Sequence, residues 1–439
     1  MTDNHHNTYV VPTEKHETPK RLHAYSIHEN LGDLALTTLI MERGAKGMLK
    51  KGRVEALILI VILASTAFHS VTVIKGEAQD IAFTIRMTVT YSNPRNGTRT
   101  WNFTEEDRTI SLFMNNAWQI VQLISHSQPL EVMKKDGDEN PVAVLSFSRS
   151  EIKPGENMSY TAVYHVVSRP RSIPNIMENV SETLEEIPRE LREKYCGGEG
   201  PWLVNDPELR ELAHNIAKNE TKVLTIIKKF VSWIKENVKY PREMHEVPLY
   251  PNETYTKREG DCDDQAVLLI TLCRIYGIPS HLQIGCIHMP KRLMVNETYW
   301  GGHVTSILKQ IGWHGWATVY IPPWGWLPVD LTYVMGDLSD PLNAIRKGAV
   351  TLQETIQYMN VTRTDYVASS RTSREFLTKN DFYVHMEDEM FQDIPQRSLW
   401  EEIIHRWLQW ILIAMVIVTL ASVALLHIQK IDERRSREG

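Results

Sequence analysis

Residues Glu259–Pro279 read EGDCDDQAVLLITLCRIYGIP, and the reading of this stretch decides the fold. Apolar residues dominate from Ala266 to Tyr276 and leave almost no polar face, so a helix buried on all sides is predicted. Gly277 fits the C′ stop, and Pro279 prevents continuation. Asp261 and Asp264 stand at the N-cap and N3 positions, where carboxylates take free backbone N–H groups. Cys262 therefore opens the helix, and a thiol there feels the positive end of the helix dipole, which favours thiolate. The charges of Asp261, Asp263 and Asp264 work the other way. A reactive Cys262 needs a positive partner such as a histidinium, and a cysteine at a helix start is by itself more often structural.

The candidate partner lies in His314–Thr332, HGWATVYIPPWGWLPVDLT. Ala317–Ile321 and Trp326–Val329 are strand-like, with Pro322, Pro323 and Gly325 turning the chain between them. A hairpin with a five-residue loop, Ile321–Gly325, pairs Tyr320 with Trp326. Asp330 then falls opposite Trp316, diagonal to His314 and on its face. A four-residue loop would put His314 and Asp330 on opposite faces. His303 and His288 are rivals for the base, and Asp337 and Asp340 are alternatives to Asp330. His303 has no aspartate at a matching hairpin position.

The segments GDCDDQA with a following GIP, then HGW, then GWLPVD, resemble the transglutaminase-like superfamily of papain-type cysteine enzymes, in its membrane-anchored prokaryotic type. The resemblance covers roughly Asp206–Thr332, with Ile287–Gly312 as a less typical insertion. It implies that Cys262 is the nucleophile, His314 the base and Asp330 the residue orienting the imidazole. The implied activity is on amide bonds through a thioester, with a peptide or protein substrate and no cofactor. Hydrolysis is favoured, since water is always present. Transfer to an amine, as in a protein-glutamine transglutaminase, and a non-catalytic scaffold or adhesion module keeping the fold are the alternatives. No Cys-x-x-Cys or His-x-x-x-His spacing occurs, so no metal site is expected. Cys273 reads as a buried core thiol, and Cys196 and Cys286 could pair.

The expected fold class is α+β. A papain-like core at 205–390 follows an all-β, immunoglobulin-like sandwich at 76–170 and a linker at 171–204, with transmembrane helices at 54–74 and 407–428. Alternation in Ile81–Tyr91 and turn signals such as Lys153-Pro154-Gly155-Glu156 carry the sandwich. The helices Asp206–Lys218 and Glu220–Asn237 precede the Cys262 helix. The loop Val238–Glu259, with Tyr240, Tyr250 and Tyr255, is expected to wall the substrate cleft. Pro341–Tyr358 is read as a further helix. The net charge of −6 argues against nucleic-acid binding.

The apolar runs Ala56–Ile74 and Trp407–Leu426 are each long enough to cross a bilayer. Arg43, Lys46, Lys50, Lys51 and Arg53 before the first, and Lys430, Arg434, Arg435 and Arg437 after the second, place both tails (1–53, mostly disordered, and 429–439) in the cytoplasm. If Met48 were the true start, the first run would have the layout of a signal peptide. Asn96, Asn102, Asn157, Asn179, Asn219, Asn252, Asn296 and Asn360 all head N-x-S/T sequons between the two runs, which fits an extracytoplasmic segment and a glycoprotein. Protease added to intact cells should therefore destroy the segment between the runs and spare a C-terminal tag. Loss of the tag would overturn this topology.

Overall fold

A computed structural model describes residues 79–393, with scattered helical positions between 407 and 434. The chain opens all-β: β1 (Ile81–Ser92), β2 (Trp101–Asn102), β3 (Thr109–Ser111), β4 (Gln119–His126), β5 (Leu130–Lys135), β6 (Pro141–Leu145), β7 (Glu151–Ile152) and β8 (Asn157–Ser168). Helices α1 (Arg189–Tyr195), α2 (Pro207–Ala217), α3 (Val223–Asn237), α4 (Pro251–Lys257) and α5 (Cys262–Ile275) follow. Strands β9 (Ser280–His288), β10 (Val295–Tyr299), β11 (Val304–Lys309), β12 (Ile311–Ile321) and β13 (Gly325–Val329) come next. Then come α6 (Asn343–Arg346), β14 (Thr355–Val361), α7 (Tyr366–Asn380) and β15 (Tyr383–Gln392).

The helices start and stop for local reasons. Asp206 caps α2 by accepting from the N–H groups of Glu208 and Leu209, and Pro207 occupies its first turn. In α5 every residue from Asp264 to Arg274 is buried, and Gly277 takes the left-handed conformation (φ +71°) that ends the segment. Arg274 is buried too. Its guanidinium lies 4.2 Å over the Trp202 ring and donates to the carbonyls of Ser280, Gly197 and Thr362. Burial pulls its pKa down to about 9.

A four-stranded sheet, β13-β12-β9-β14, forms the centre. Leu282, Ala317, Val319, Leu327 and Val329 share one core with the apolar residues of α2, α3 and α5. The hairpin register is the expected one: Tyr320 pairs with Trp326 and Ala317 with Val329. A six-stranded sheet, β10-β11-β15-β1-β8-β4, lies beside it.

That second sheet revises the domain picture. The segment 76–170 is all-β, but it is not a self-contained immunoglobulin-like sandwich ahead of the core. Strand β1 is flanked by β8 on one side and by β15 on the other, with Phe83 opposite Gln392 and Ser92 opposite Tyr383. The insertion Ile287–Gly312 supplies β10 and β11, and β11 runs parallel to β15. Glu77–Pro395 is one compact unit. The segment expected as a linker, 171–204, is likewise part of the packing: Ile176, Ile187 and Trp202 belong to the core, and the Trp202 indole N–H donates to the Thr362 carbonyl.

Two further readings change. The helix expected at Pro341–Tyr358 is only the single turn of α6, a short 3-10 turn and then β14, whose TIQYMNV finds a partner in β9. Its Thr and Ile favour the strand once an edge is on offer. The four cysteines are free, so Cys196 and Cys286 are not paired. Tail 1–53 and span 54–74 lie outside the described residues. Among the described residues no helix is long and apolar enough to cross a membrane, and only part of 407–428 falls among them.

Asp388 in β15 ties the two sheets together. Its Oδ2 accepts from the indole N–H of Trp313 in β12 at 2.8 Å, and burial pushes its pKa from 3.8 up to about 6. A raised acid stabilises the fold below its unfolded pKa and loses that contribution as pH rises to the folded value. The Asp388 contribution should fall between pH 3.8 and about 6, by at most about 3 kcal/mol. Denaturant unfolding of Asp388→Asn at pH 4 and pH 7 should show a shallower decline than the parent. Parallel pH profiles would remove Asp388 from this role.

Candidate active site

The site is built on the first turn of α5. Asp261 and Asp264 form the expected capping box: the Asp264 N–H reaches Asp261 Oδ1 and the Asp261 N–H reaches Asp264 Oδ2, at 3.4 and 3.2 Å. Asp264 is fully buried, and its other oxygen accepts from the Leu249 N–H at 2.7 Å. Its pKa is pushed up to about 6, by burial first and by Asp263 second. His245 Nδ1 stands 3.4 Å from Asp264 Oδ2 without a hydrogen bond, so the loop after α3 lies against the helix start. Gly260 is required there, because a Cβ would come within 2.8 Å of the Asp264 side chain.

Cys262 occupies the first helical position. Its sulfur lies 4.0 Å from Asp263 Oδ1, and the backbone N–H of Gly315 in β12 acts on it. Burial, then the charges of Asp263 and Asp261, hold the thiol well above the ordinary cysteine range. Asp263 is pushed up in turn by burial and by Asp261, and its Oδ2 accepts from the Tyr366 hydroxyl at 2.7 Å. The expected opposition between dipole and aspartates is therefore won by burial and the aspartates.

His314 and Asp330 meet as the hairpin register requires. His314 Nε2 is 3.0 Å from Asp330 Oδ2, and both side chains are buried. Asp330 is held by more than the imidazole: Oδ1 accepts from the N–H groups of Thr332 and Tyr333, and Oδ2 from that of Ala349 at 2.8 Å. Gly348 lies against it so closely that a Cβ would sit 2.7 Å from the Asp330 Cβ. With Nε2 turned to the carboxylate, Nδ1 is the ring nitrogen left for a thiol proton. Trp316 and Tyr333 pack beside the imidazole, at ring distances of 5.7 and 5.8 Å. Trp316 is 1% exposed and shields the pair from water.

The structure thus joins His314 to Asp330 and brings Cys262 to the same strand at Gly315. Among the described hydrogen bonds, none links the Cys262 sulfur to the His314 ring. The rivals are elsewhere. His303 stacks on Tyr383 and bonds the Phe382 carbonyl, and His288 packs on Phe83. Asp337 serves Ser339 and Lys235 at the surface, and Asp340 caps the turn at Leu342. A group of three potential metal ligands, Asp261, Cys262 and Asp263, lies within 4.8 Å, but no further donor is associated with it. Tyr366, Ala349 and His245 were not readable from the motifs: each acts through tertiary contact, and only the Asp365-started helix of Tyr366 left a local signal.

Residues 210–331 match the family model of the transglutaminase-like superfamily. No curated protein matches the sequence. By structure the chain is similar to a candidate cysteine protease from Cytophaga hutchinsonii, at 14% identity and TM-score 0.43, covering 73% of this chain and 93% of that one. It is also similar to the periplasmic domain of TgpA from Pseudomonas aeruginosa (17%, TM-score 0.29, 61% and 91%). A third is LapG from Legionella pneumophila (17%, TM-score 0.24, 45% and 97%). These likenesses are too distant to bear on the chemistry.

Because burial and the neighbouring aspartates disfavour the thiolate, reaction of Cys262 near neutral pH depends on a base. Alkylation of Cys262 by iodoacetamide at pH 7 should slow roughly tenfold in His314→Ala and stay unchanged in His303→Ala, the range of general-base effects being about 10²–10⁴ at full efficiency. Equal rates in the parent and His314→Ala would take His314 out of the site.

Proposed function

We propose that this chain, whose residues 210–331 form a transglutaminase-like core, is a membrane-anchored cysteine peptidase or amidase with its catalytic domain outside the cytoplasm. The observation that carries the reading is the His314–Asp330 pair, buried and saturated with donors, on the strand that abuts the Cys262 helix start. Substrate binding brings the imidazole Nδ1 to the thiol. His314 takes the proton as sulfur attacks the carbonyl carbon, and Asp330 fixes the ring and stabilises the imidazolium. The Cys262 N–H at the open helix end donates to the developing oxyanion. Collapse expels the amine, which takes its proton from His314 and leaves a thioester. Water, deprotonated by His314, then releases the acid and restores the thiol.

Transfer of the thioester to an amine is the second reading. The basic clusters flanking both apolar runs support the anchored topology. Of the eight sequon asparagines, Asn96, Asn102, Asn157, Asn179, Asn219 and Asn296 are exposed, while Asn252 and Asn360 are half-buried.

Peptide libraries incubated with the full chain should release new amino termini, with turnover lost by at least about 10³-fold in Cys262→Ala. Incorporation of an added alkylamine at the cost of hydrolysis would select transamidation. A full chain that neither cleaves nor transamidates, and whose Cys262 resists thiol-directed amide mimics, would return the protein to the scaffold reading.

A further inference from the structure

A cavity of roughly 760 Å³ adjoins the site and reaches Asp261, the residue before Cys262. That volume suits a ligand of several side-chain groups. Its walls come from parts of the chain that the core motifs do not include. Tyr91 and Trp101 come from β1 and β2, Trp300 from the insertion and Phe376 from α7. Trp101 is the keystone, edge-on to Tyr91 at 5.1 Å and to Phe376 at 5.7 Å, and stacked on Phe382 at 4.9 Å. The loop after α3 closes one side: Trp300 donates its indole N–H to the Glu246 carbonyl, and Arg374 of α7 pairs with the Glu246 carboxylate.

The walls are rich in carboxylates. Glu106, Asp107, Glu246 and Asp261 line the cavity together with His245, and neither lysine nor arginine does. Of these carboxylates Glu246 is paired with Arg374, while Glu106 and Asp107 have no ion pair among the described residues. Aromatic faces beside unpaired carboxylates suit a cation as well as an apolar ring.

We propose that this cavity is a specificity subsite for a peptide segment pairing an aromatic side chain with a neighbouring lysine or arginine. The inference rests on the amide-cleaving reading and adds to it the substrate class. The aromatic ring packs on Phe376 and the half-buried Trp300, over the buried Trp101, and the cation faces Glu106 and Asp107. The N-terminal β region is then part of the substrate site rather than a spacer.

The test uses the full chain carrying Cys262→Ala in detergent micelles, titrated with fluorescein-labelled hexapeptides containing Phe-Arg, Phe-Glu or Ser-Arg. Phe-Arg should bind at least about tenfold tighter than either of the others. Ser373→Trp, at an exposed position on α7 that lines the cavity, should fill it and remove the tight binding. Glu106→Lys, also exposed, should bring Phe-Arg and Phe-Glu to parity. Equal binding of the three peptides, which needs no variant, would overturn the subsite, as would unchanged binding in Ser373→Trp. Labelling of Cys262 in the parent chain by an amide mimic is read separately. Labelling without peptide preference sinks the subsite alone, and peptide preference without labelling sinks the enzyme reading alone.

Discussion

The contact between Gly315 and the first turn of α5 is what the site depends on. A side chain at 315 would place its Cβ 3.0 Å from the Asp263 Cβ, a tight approach that glycine makes without displacing the helix end. The closeness aligns three things at once. It puts a strand N–H on the sulfur of Cys262, it brings His314 to the neighbouring position, and it sets the half-buried thiol beside Asp263. The last of these opposes nucleophilicity, which is why the geometry calls for a base and not for the helix dipole alone.

The Asp330 environment holds the His314 ring in place. Three backbone N–H groups and one imidazole converge on its two oxygens, and two of the backbone donors follow it directly in the chain. The third, Ala349, comes from the turn after α6, with Gly348 giving it room. Asp330 is oriented before it orients anything else. The same device recurs at Asp264, whose oxygens take the helix cap and the Leu249 N–H. Both carboxylates are buried and hydrogen-bonded, which is the condition for tolerating them in a core.

Much of this was legible in the residues because it is local. The α5 boundaries follow from Asp261, Asp264 and Gly277, and the His314–Asp330 contact follows from counting residues through a hairpin of fixed period. What stayed hidden is non-local. Nothing in Ile81–Ser92 names β15 as its neighbour, since any alternating strand pairs with any free edge. The helix misread at Pro341–Tyr358 fails for the same reason: Thr355–Val361 becomes a strand because β9 presents an edge to it. Tyr366, on Asp263, and Trp101, in the cavity wall, reach their partners only through the finished fold.

The pairing of β1 with β15 also has a consequence for biosynthesis. Thr84 in β1 and Asp393 just past β15 are hydrogen-bonded across 309 residues of chain. Among the described strands, the first to leave the ribosome therefore waits for the last before its sheet is complete. At synthesis rates of about 5–20 residues per second, an unpaired edge persists for tens of seconds. Contacts of such long range slow folding and expose strand edges to wrong partners.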